Sequence, residues 1–181
     1  MIRNKGADVN YLKMSATPIP RTLSISVYGD MDISIIKQMP LNRKKVITKY
    51  VEQNEKRQVM NHIKQELKDG HQIYVVSPLI EDEEGESDLE TVYELKDKFD
   101  TALNNKVNIG ILHGKMKPKE KDEIMESFKN GEMKVLISTT VIEVGVDVKN
   151  ASMIVIFNAN YFGLSTLHQL RGRVGRGDIQ S

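Results

Sequence analysis

The chain has 181 residues, of which 39% are hydrophobic and 28% are charged, and this composition excludes a disordered protein. A formal net charge of +1 excludes a general attraction to nucleic acid, so any polyanion site must be a local patch. The absence of cysteine excludes disulfides and cysteine-based zinc or catalytic sites. No apolar run approaches the roughly 20 residues that span a bilayer, and no signal peptide is visible, so we expect a cytoplasmic protein.

Residues 1 to 44 carry little regular pattern. A short strand fits Tyr11 to Ser15, and Pro18 and Pro20 then disfavour helix in the residues that precede them. Residues 41–45 form a basic connector. Residues 1 to about 12 are polar and irregular, which is more typical of the middle of a longer protein than of a natural start.

From residue 45 onward, predicted strands and helices alternate. Val46 to Val51 alternates like a strand, and residues 54–68 predict a helix that Gly70 ends. A short apolar strand over 72–77 precedes a strongly acidic loop at 81–90. The remaining predicted elements are a helix capped by Ser87 or Asp88, a strand over 107–112, a helix with Pro118 in its first turn, and strands over 134–138 and 152–157. This alternation predicts right-handed β-α-β units, a parallel sheet and helices on both of its faces.

The last predicted element is a helix from Ser165 to Val174, which leads into a glycine-rich turn. Ser165 is the expected N-cap, and leucines on this helix can supply a buried edge. Arginines and glycines are interleaved over residues 169–177, so several guanidinium groups can point into one cleft that a backbone or a phosphate can approach closely. Taken alone, such a cluster is equally typical of a basic surface helix.

Polar residues follow the predicted strands, and ligands gather at the C-terminal ends of strands in a parallel α/β sheet. We therefore expect one functional edge that carries hydroxyls, glycines, Asp147 and the arginines. The hydroxyls and amides of Thr139 and Thr140 can hold a phosphate of a nucleic-acid strand without reading its sequence. Asp147 alone is more often a turn residue, and His113 before Gly114 is more often structural, or a backbone-phosphate contact, than catalytic.

The sequence contains no Gly-x-x-x-x-Gly-Lys-Ser/Thr phosphate loop and no Asp-Glu-x-His/Gln box after a strand. The groups that would hold the β- and γ-phosphates and Mg²⁺ are therefore missing from these 181 residues. Arginines without that cradle can stabilise a transition state only where another domain supplies the nucleotide.

Three segments, taken in chain order, resemble motifs III, V and VI of superfamily 2 helicases: residues 15–21, 139–147 and 169–177. Within that superfamily, residues 15–23, 162–165 and 169–177 are similar to two families, the RecG branched-DNA helicases and the transcription-repair coupling translocases. The segments at 28–40 and 74–81 favour the RecG family. The resemblance covers nearly the whole chain, from the end of a first RecA-like domain to the end of a second.

The resemblance implies a role for each matching residue. Arg173 and Arg176 match arginine fingers that reach the γ-phosphate across a cleft between two domains. The residues implied near the nucleotide are Gln169, Gly172, Gly145 and Asp147. The residues implied in DNA contacts are Thr139, Thr140, His113, Gly114 and Arg21. The residues implied in coupling the nucleotide state to DNA are Ser15, Ala16 and Thr17.

The implied fold is an α/β, RecA-like three-layer domain with a mostly parallel sheet, in which residues 1–44 are a remnant of the preceding domain and residues 45–181 are the second domain. We expect the remnant to be loosely docked. The implied activity is ATP-dependent remodelling of branched DNA, including replication forks and Holliday junctions. ATP would act with Mg²⁺, whose ligands lie outside this chain. The implied partners are branched DNA and the first RecA-like domain and wedge domain of the same protein. Without the first RecA-like domain, the cleft surface would be exposed and would permit artefactual self-association.

Two other interpretations stay open at this stage. One is a transcription-repair coupling translocase, which shares the motor motifs. The other is a non-enzymatic α/β module that binds nucleotide or nucleic acid, although this interpretation leaves the paired arginines unexplained.

Overall fold

The structure is a computed structural model that describes Met14 and residues 34–36, 44–78, 91–139 and 148–181. The chain divides into two compact units, residues 1–37 and 38–181, and every element described below belongs to the second unit. The strand predicted at 11–15 and the loose docking predicted for residues 1–44 fall almost entirely outside the described residues.

A four-stranded sheet forms the centre of the second unit, and each of its three described pairings is parallel. Its strands, in the spatial order β2-β3-β1-β4, are β1 Gln72–Val76, β2 Ile109–Leu112, β3 Val135–Ser138 and β4 Ala151–Ile156. The α-helices are α1 Lys56–Lys68, α2 Val92–Ala102, α3 Pro118–Lys129 and α4 Leu164–Arg171, with short 3₁₀-helices at Gln53–Glu55 and Ala159–Tyr161. Neighbouring parallel strands need a crossover connection, so these pairings agree with the predicted β-α-β units.

The helices cover both faces of the sheet, because successive side chains of a strand point to opposite faces. Tyr74 and Val76 pack in one buried cluster with residues of α3 and α4. Ile73 and Val75 pack in a second buried cluster with residues of α1 and α2. Every residue of β1 is consequently buried, as its nearly continuous apolar run predicts. The expected three-layer architecture with helices on both faces is confirmed.

Glycine and proline end and begin helices where the sequence predicts. Gly70 has φ +88° and follows the C-cap of α1, where its N–H donates to the carbonyl of Leu67 at 3.1 Å and the next N–H, of His71, donates to Glu66 at 3.0 Å. This is the paired hydrogen bonding of a glycine-terminated helix. Pro118 occupies the first turn of α3, where no amide donor is needed.

Two predicted elements differ from the structure. Residues 46–51 form no strand, although their sequence alternates; the side chains of Ile47 and Tyr50 are 63% and 87% exposed. Alternation alone does not supply a neighbouring strand with which to pair. Helix α2 begins at Val92 and is capped by Thr91, not by Ser87 or Asp88. Thr91 forms a capping box with Glu94, which satisfies two amides that would otherwise lack acceptors.

The last helix is also shorter than predicted. Helix α4 ends at Arg171 and not at Val174, and its N-cap is Gly163 and not Ser165. Gly163 has no side chain that could cap the helix, and its backbone has the extended conformation that is typical of an N-cap residue. The arginines beyond Arg171 are therefore presented by a turn and not by a helix.

A buried glutamine joins the end of α3 to the first strand. Gln72 is 1% exposed, and its Nε2 donates to the carbonyl oxygens of Phe128 and, at 2.9 Å, of Met133. These carbonyls lie at the end of α3 and in the connection to β3, where a helix leaves acceptors without intrahelical donors. The carbonyl of Phe128 also accepts from the N–H of Gly131 at 3.0 Å, so the amide group of Gln72 is a second donor to Phe128 and the donor that the described residues offer to the carbonyl of Met133.

We expect Gln72→Met to lower the free energy of unfolding by about 2 kcal/mol, because the Met133 carbonyl loses its donor and the buried Phe128 carbonyl loses one of two donors, while the side-chain volume is kept. Urea denaturation of the 181-residue chain, followed by circular dichroism, measures the change. The matched control is Gln65→Met, since the Gln65 amide bonds to Asp69 on an exposed surface. Its unfolding free energy should stay within about 0.5 kcal/mol of wild type. Equal losses in the two variants would contradict this role for Gln72.

Candidate functional site

The residues that follow α4 form a turn, which we call the arginine turn and define as residues 172–177. Its backbone continues from the helix, with the N–H of Arg173 donating to the carbonyl of Leu170 at 2.9 Å. Leu170 and Val174 are 4% and 1% exposed and both belong to the buried cluster on the α3 and α4 face of the sheet. Arg173 lies between these two anchors and is consequently only 9% exposed.

The electrostatic environment of Arg173 disfavours its own charge. Burial lowers the pKa of the Arg173 guanidinium, the positive charge of Arg176 lowers this pKa further, and the phenol of Tyr74 partly opposes both effects. Among the described residues, the Arg173 guanidinium has no hydrogen-bond partner. Two neighbouring cations, one of them buried, form an arrangement that an anion would stabilise.

Arg176 is exposed and is oriented by the turn itself. Its Nε donates to the carbonyl of Gly172 at 2.8 Å, across four residues. This bond uses one edge of the planar guanidinium fork and fixes the direction of the remaining donors. Gly172 is the C-cap of α4, so the end of the helix and Arg176 are joined directly.

Two glycines of the arginine turn lie against other parts of the chain. Gly175 has φ +67°, and a Cβ atom built on it would lie 2.8 Å from Cγ2 of Val46. A Cβ atom on Gly177 would lie 2.7 Å from the backbone carbonyl oxygen of Lys149. The backbone of Lys149 cannot yield as a flexible side chain can, so a larger residue at 177 would displace the turn.

The contact with Lys149 locates the arginine turn in the sheet. Lys149 precedes β4, and the carbonyl of the next residue, Asn150, accepts from the first residue of β1 at 3.0 Å. The turn therefore lies toward the edge where the strands begin. The expectation that the arginines share the C-terminal edge of the sheet with the hydroxyls is wrong, because α4 runs back along the sheet for about 12 Å and carries them away from that edge.

The predicted hydroxyl and histidine do meet at the C-terminal edge. His113 and Thr139 follow the neighbouring strands β2 and β3, and the N–H of Thr139 donates to the carbonyl of Leu112 at 3.2 Å. His113 and Thr139 are 7% and 6% exposed. Within the described structure, three buried polar atoms here lack a hydrogen-bond partner: His113 Nδ1, Ser138 Oγ and Thr139 Oγ1. Unsatisfied polar atoms concentrated at one place are a candidate ligand surface.

Two neighbours of this edge were not predicted from the sequence. The hydroxyl of Tyr93 lies 2.9 Å from Nε2 of His113, and the two rings meet edge-on with centroids 5.8 Å apart. Lys121 Nζ donates to the carbonyl of Gly114 at 3.2 Å, while Gly114 itself is exposed. No local sequence pattern joins Tyr93 to His113, because only the packing of α2 against β2 brings them together.

The other predicted site residues are exposed or lie outside the described ranges. Gln169 is exposed on α4. The predicted roles of the following residues stay predictions, since the structure does not describe them: Thr140, Gly145, Asp147, Arg21, Ser15, Ala16 and Thr17.

In the described ranges, no three His, Cys, Asp or Glu side chains are grouped as a metal ion would need. None of the described helices has the length and apolarity needed to cross a bilayer.

Comparison with known sequences reveals a match over most of this unit. The model of the helicase conserved C-terminal domain matches residues 54–178. ATP-dependent DNA helicase RecG of Streptococcus pneumoniae serotype 4 is 50% identical over all 181 residues, which span 27% of that relative. The RecG of Staphylococcus aureus strain NCTC 8325 is 51% identical over the same 181 residues, which span 26% of its length. The chain thus spans about a quarter of the length of these relatives.

Solved structures resemble the chain in the same way. The structure of RecG bound to a three-way DNA junction superimposes with a TM-score of 0.74 at 41% identity, over 91% of this chain and 21% of that one. Domain 2 of the DEAD-box helicase Mss116p, bound to an RNA duplex, superimposes with a TM-score of 0.52 at 20% identity, over 71% of this chain and 47% of that one. The second likeness concerns the fold alone.

We expect Arg173→Met to raise the free energy of unfolding by about 1 kcal/mol, because it removes a buried, repelled charge and keeps the side-chain stem. The lowered pKa shows that folding disfavours the charged form, and the guanidinium is charged in both states at neutral pH. Thermal and urea unfolding of the 181-residue chain measure the change. The control Arg171→Met alters an exposed arginine of α4 and should stay within about 0.5 kcal/mol of wild type. Destabilisation by Arg173→Met would show that its charge is compensated.

Proposed function

This chain belongs to the helicase conserved C-terminal domain family, and we propose that it is the second motor domain of an ATP-dependent DNA helicase that remodels branched DNA. Its α/β fold, with a parallel sheet covered on both faces, is the RecA-like fold of such domains. The identity of 50% and 51% over all 181 residues to RecG helicases of two bacterial genera supports the proposal, and these residues span 27% and 26% of those relatives.

The arrangement of Arg173 and Arg176 is the observation that carries this proposal. One guanidinium is buried without a hydrogen-bond partner in the described structure, and the other is exposed and oriented by Gly172. A phosphate beside them would accept from the donors of Arg173 and offset both the burial and the repulsion by Arg176 that lower the pKa of Arg173. The described site therefore fits the terminal phosphate of a nucleotide that another domain holds.

In this proposal, ATP supplies the phosphoryl group whose transfer drives the motor, and the chain supplies positive charge to it. Arg173 and Arg176 stabilise negative charge that develops on the γ-phosphate during hydrolysis. Arginines in this role accelerate phosphoryl transfer by roughly 10³ to 10⁵ where GTPases have been measured. Gln169 and Gly172, together with Gly145 and Asp147, would line the same cleft. Mg²⁺ would be held by groups outside these 181 residues.

The C-terminal edge of the sheet would contact the DNA backbone. The first contact would be with the exposed backbone of Gly114, and the unpartnered Thr139 Oγ1 and His113 Nδ1 lie buried beside it. Backbone groups can position a phosphate strand without reading its sequence, as a motor that moves along DNA requires. Thr140 and Arg21 would extend this contact, and residues 15–17 would couple it to the nucleotide. A solved RecG relative is bound to a three-way junction, which supports branched DNA as the partner.

The proposed domain organisation follows from the same resemblance. Residues 1–44 would be the end of a first RecA-like domain and the connector, and residues 45–181 would be the second domain. The first motor domain and a wedge domain would be partners within one longer, cytoplasmic protein. Light scattering of the isolated chain at two concentrations would measure whether its cleft surface self-associates.

In the complete protein that we propose, Arg176→Ala should lower the turnover number of DNA-stimulated ATP hydrolysis by about 10³-fold, because a charge that stabilises the transition state is lost. Phosphate release on forked DNA measures the rate, and circular dichroism verifies folding. The control is Arg171→Ala, an exposed arginine whose Nη2 lies 3.2 Å from Nδ1 of His168. It should keep turnover within about twofold of wild type. Unchanged turnover in Arg176→Ala would refute an arginine-finger role.

The 181-residue chain alone should hydrolyse no ATP above background, with or without forked DNA, because its sequence lacks a phosphate loop. Clear DNA-stimulated turnover would mean that the chain holds a complete nucleotide site, and it would overturn the interpretation that another domain supplies the rest of this site.

Unwinding of a three-way junction by the complete protein separates a RecG-type helicase from a transcription-repair coupling translocase. The translocase would displace a stalled RNA polymerase and unwind forks poorly.

A further inference from the structure

The chain just after the connector contacts the arginine turn through one side chain, that of Val46. Among residues 44–52, all of which the structure describes, Val46 alone is not exposed. Val46 packs against the buried cluster that contains Leu170 and Val174. Its Cγ2 occupies the space beside Gly175, where a Cβ atom would approach it to 2.8 Å. The contact therefore falls on the residue that lies between the two arginines of the proposed site.

Two hydrogen bonds, one between backbone groups and one from a side-chain amide, hold the chain on both sides of Val46. The N–H of Ile47 donates to the carbonyl of Ser181 at 2.8 Å. The side-chain amide of Gln180 donates to the carbonyl of Lys45 at 2.9 Å. Residues on either side of Val46 are thus joined to the segment that follows the arginine turn. Movement of the connector would be transmitted to this segment as well as to Gly175.

We propose that Val46 is a positioning residue that sets the relative directions of Arg173 and Arg176 for ATP hydrolysis. The inference rests on the proposed arginine-finger function. Gly175 has a left-handed backbone conformation and lies between Arg173 and Arg176, so its displacement changes the backbone path that joins the two arginines. The turn is closed on its other side by the contact between Gly177 and the backbone of Lys149. Val46 is the yielding side of this enclosure, because a side chain can be displaced more easily than a backbone carbonyl.

Val46 directly follows the connector predicted at 41–45, and this position gives its contact a directional meaning. In a two-domain motor, closure on ATP changes the path of the chain between the domains, and residues at such hinges influence turnover without touching the substrate. A connector that moves toward the turn would press Val46 onto Gly175, and one that moves away would release it. Misplacement of a reacting group by about 1 Å is enough to lower a rate by about 10²-fold.

The test is Val46→Ala in the complete protein, with Ile47→Ala as matched control because the neighbouring Ile47 side chain is 63% exposed. We expect Val46→Ala to lower the turnover number of DNA-stimulated ATP hydrolysis by about tenfold, with the KM for ATP and the affinity for junction DNA within about twofold of wild type. Ile47→Ala should leave all three unchanged. Val46→Ile keeps the Cγ2 methyl group and should retain the turnover of wild type.

Rates are expressed per folded molecule, from unfolding curves of each variant, so that a loss of stability is separated from a loss of positioning. Wild-type turnover per folded molecule in Val46→Ala, or equal losses in Val46→Ala and Ile47→Ala, would overturn the inference. A tenfold loss in Val46→Ile as well would also overturn it. If Arg176→Ala abolishes turnover while Val46→Ala does not, this inference alone fails. If Arg176→Ala has no effect, the proposed function fails first.

Discussion

The insertion of Leu170 and Val174 into the buried cluster around Tyr74 is the interaction on which the candidate site depends. These two side chains attach the end of α4 to the sheet, and the residue between them, Arg173, has to enter the protein with them. Burial of this charge is thus a consequence of apolar packing and not of a polar network. Burial and the neighbouring charge of Arg176 lower the pKa of Arg173, so the fold disfavours this charge in isolation, and in the proposed function an anion would offset this cost.

The site is divided between two opposite edges of one sheet. The unsatisfied hydroxyl and imidazole groups lie where β2 and β3 end, whereas the arginine turn lies near the beginning of β4. In the proposed motor these edges correspond to the DNA track and the nucleotide cleft. Strands buried on both faces form a stiff connection between them, because close-packed interiors transmit displacement with little compression. A single rigid domain can therefore hold two ligand surfaces at a constant separation.

The sequence predicted the parts of this domain that local chemistry determines. Gly70 and Pro118 end and begin helices through conformational preferences that need no tertiary partner. The prediction of a strand at 46–51 was wrong, because an alternating sequence does not by itself provide a neighbouring strand with which to pair. The cap of α2 was misplaced because several polar residues precede Thr91, and the choice among them depends on which residue first meets the core. The course of α4, and with it the location of the arginines, depends on packing that no local pattern contains.

The depth of Arg173 also sets how the proposed nucleotide contact responds to ionic strength. Mobile ions screen exposed charges over about 8 Å at physiological salt, but they cannot surround a guanidinium that is 9% exposed. Arg176 and any lysine on the surface remain open to such screening. Contacts with a DNA backbone release counterions and weaken steeply as salt rises. In the proposed motor, the nucleotide contact would therefore be shielded from salt at Arg173, whereas its contact through Arg176 and the contacts with the DNA backbone would not.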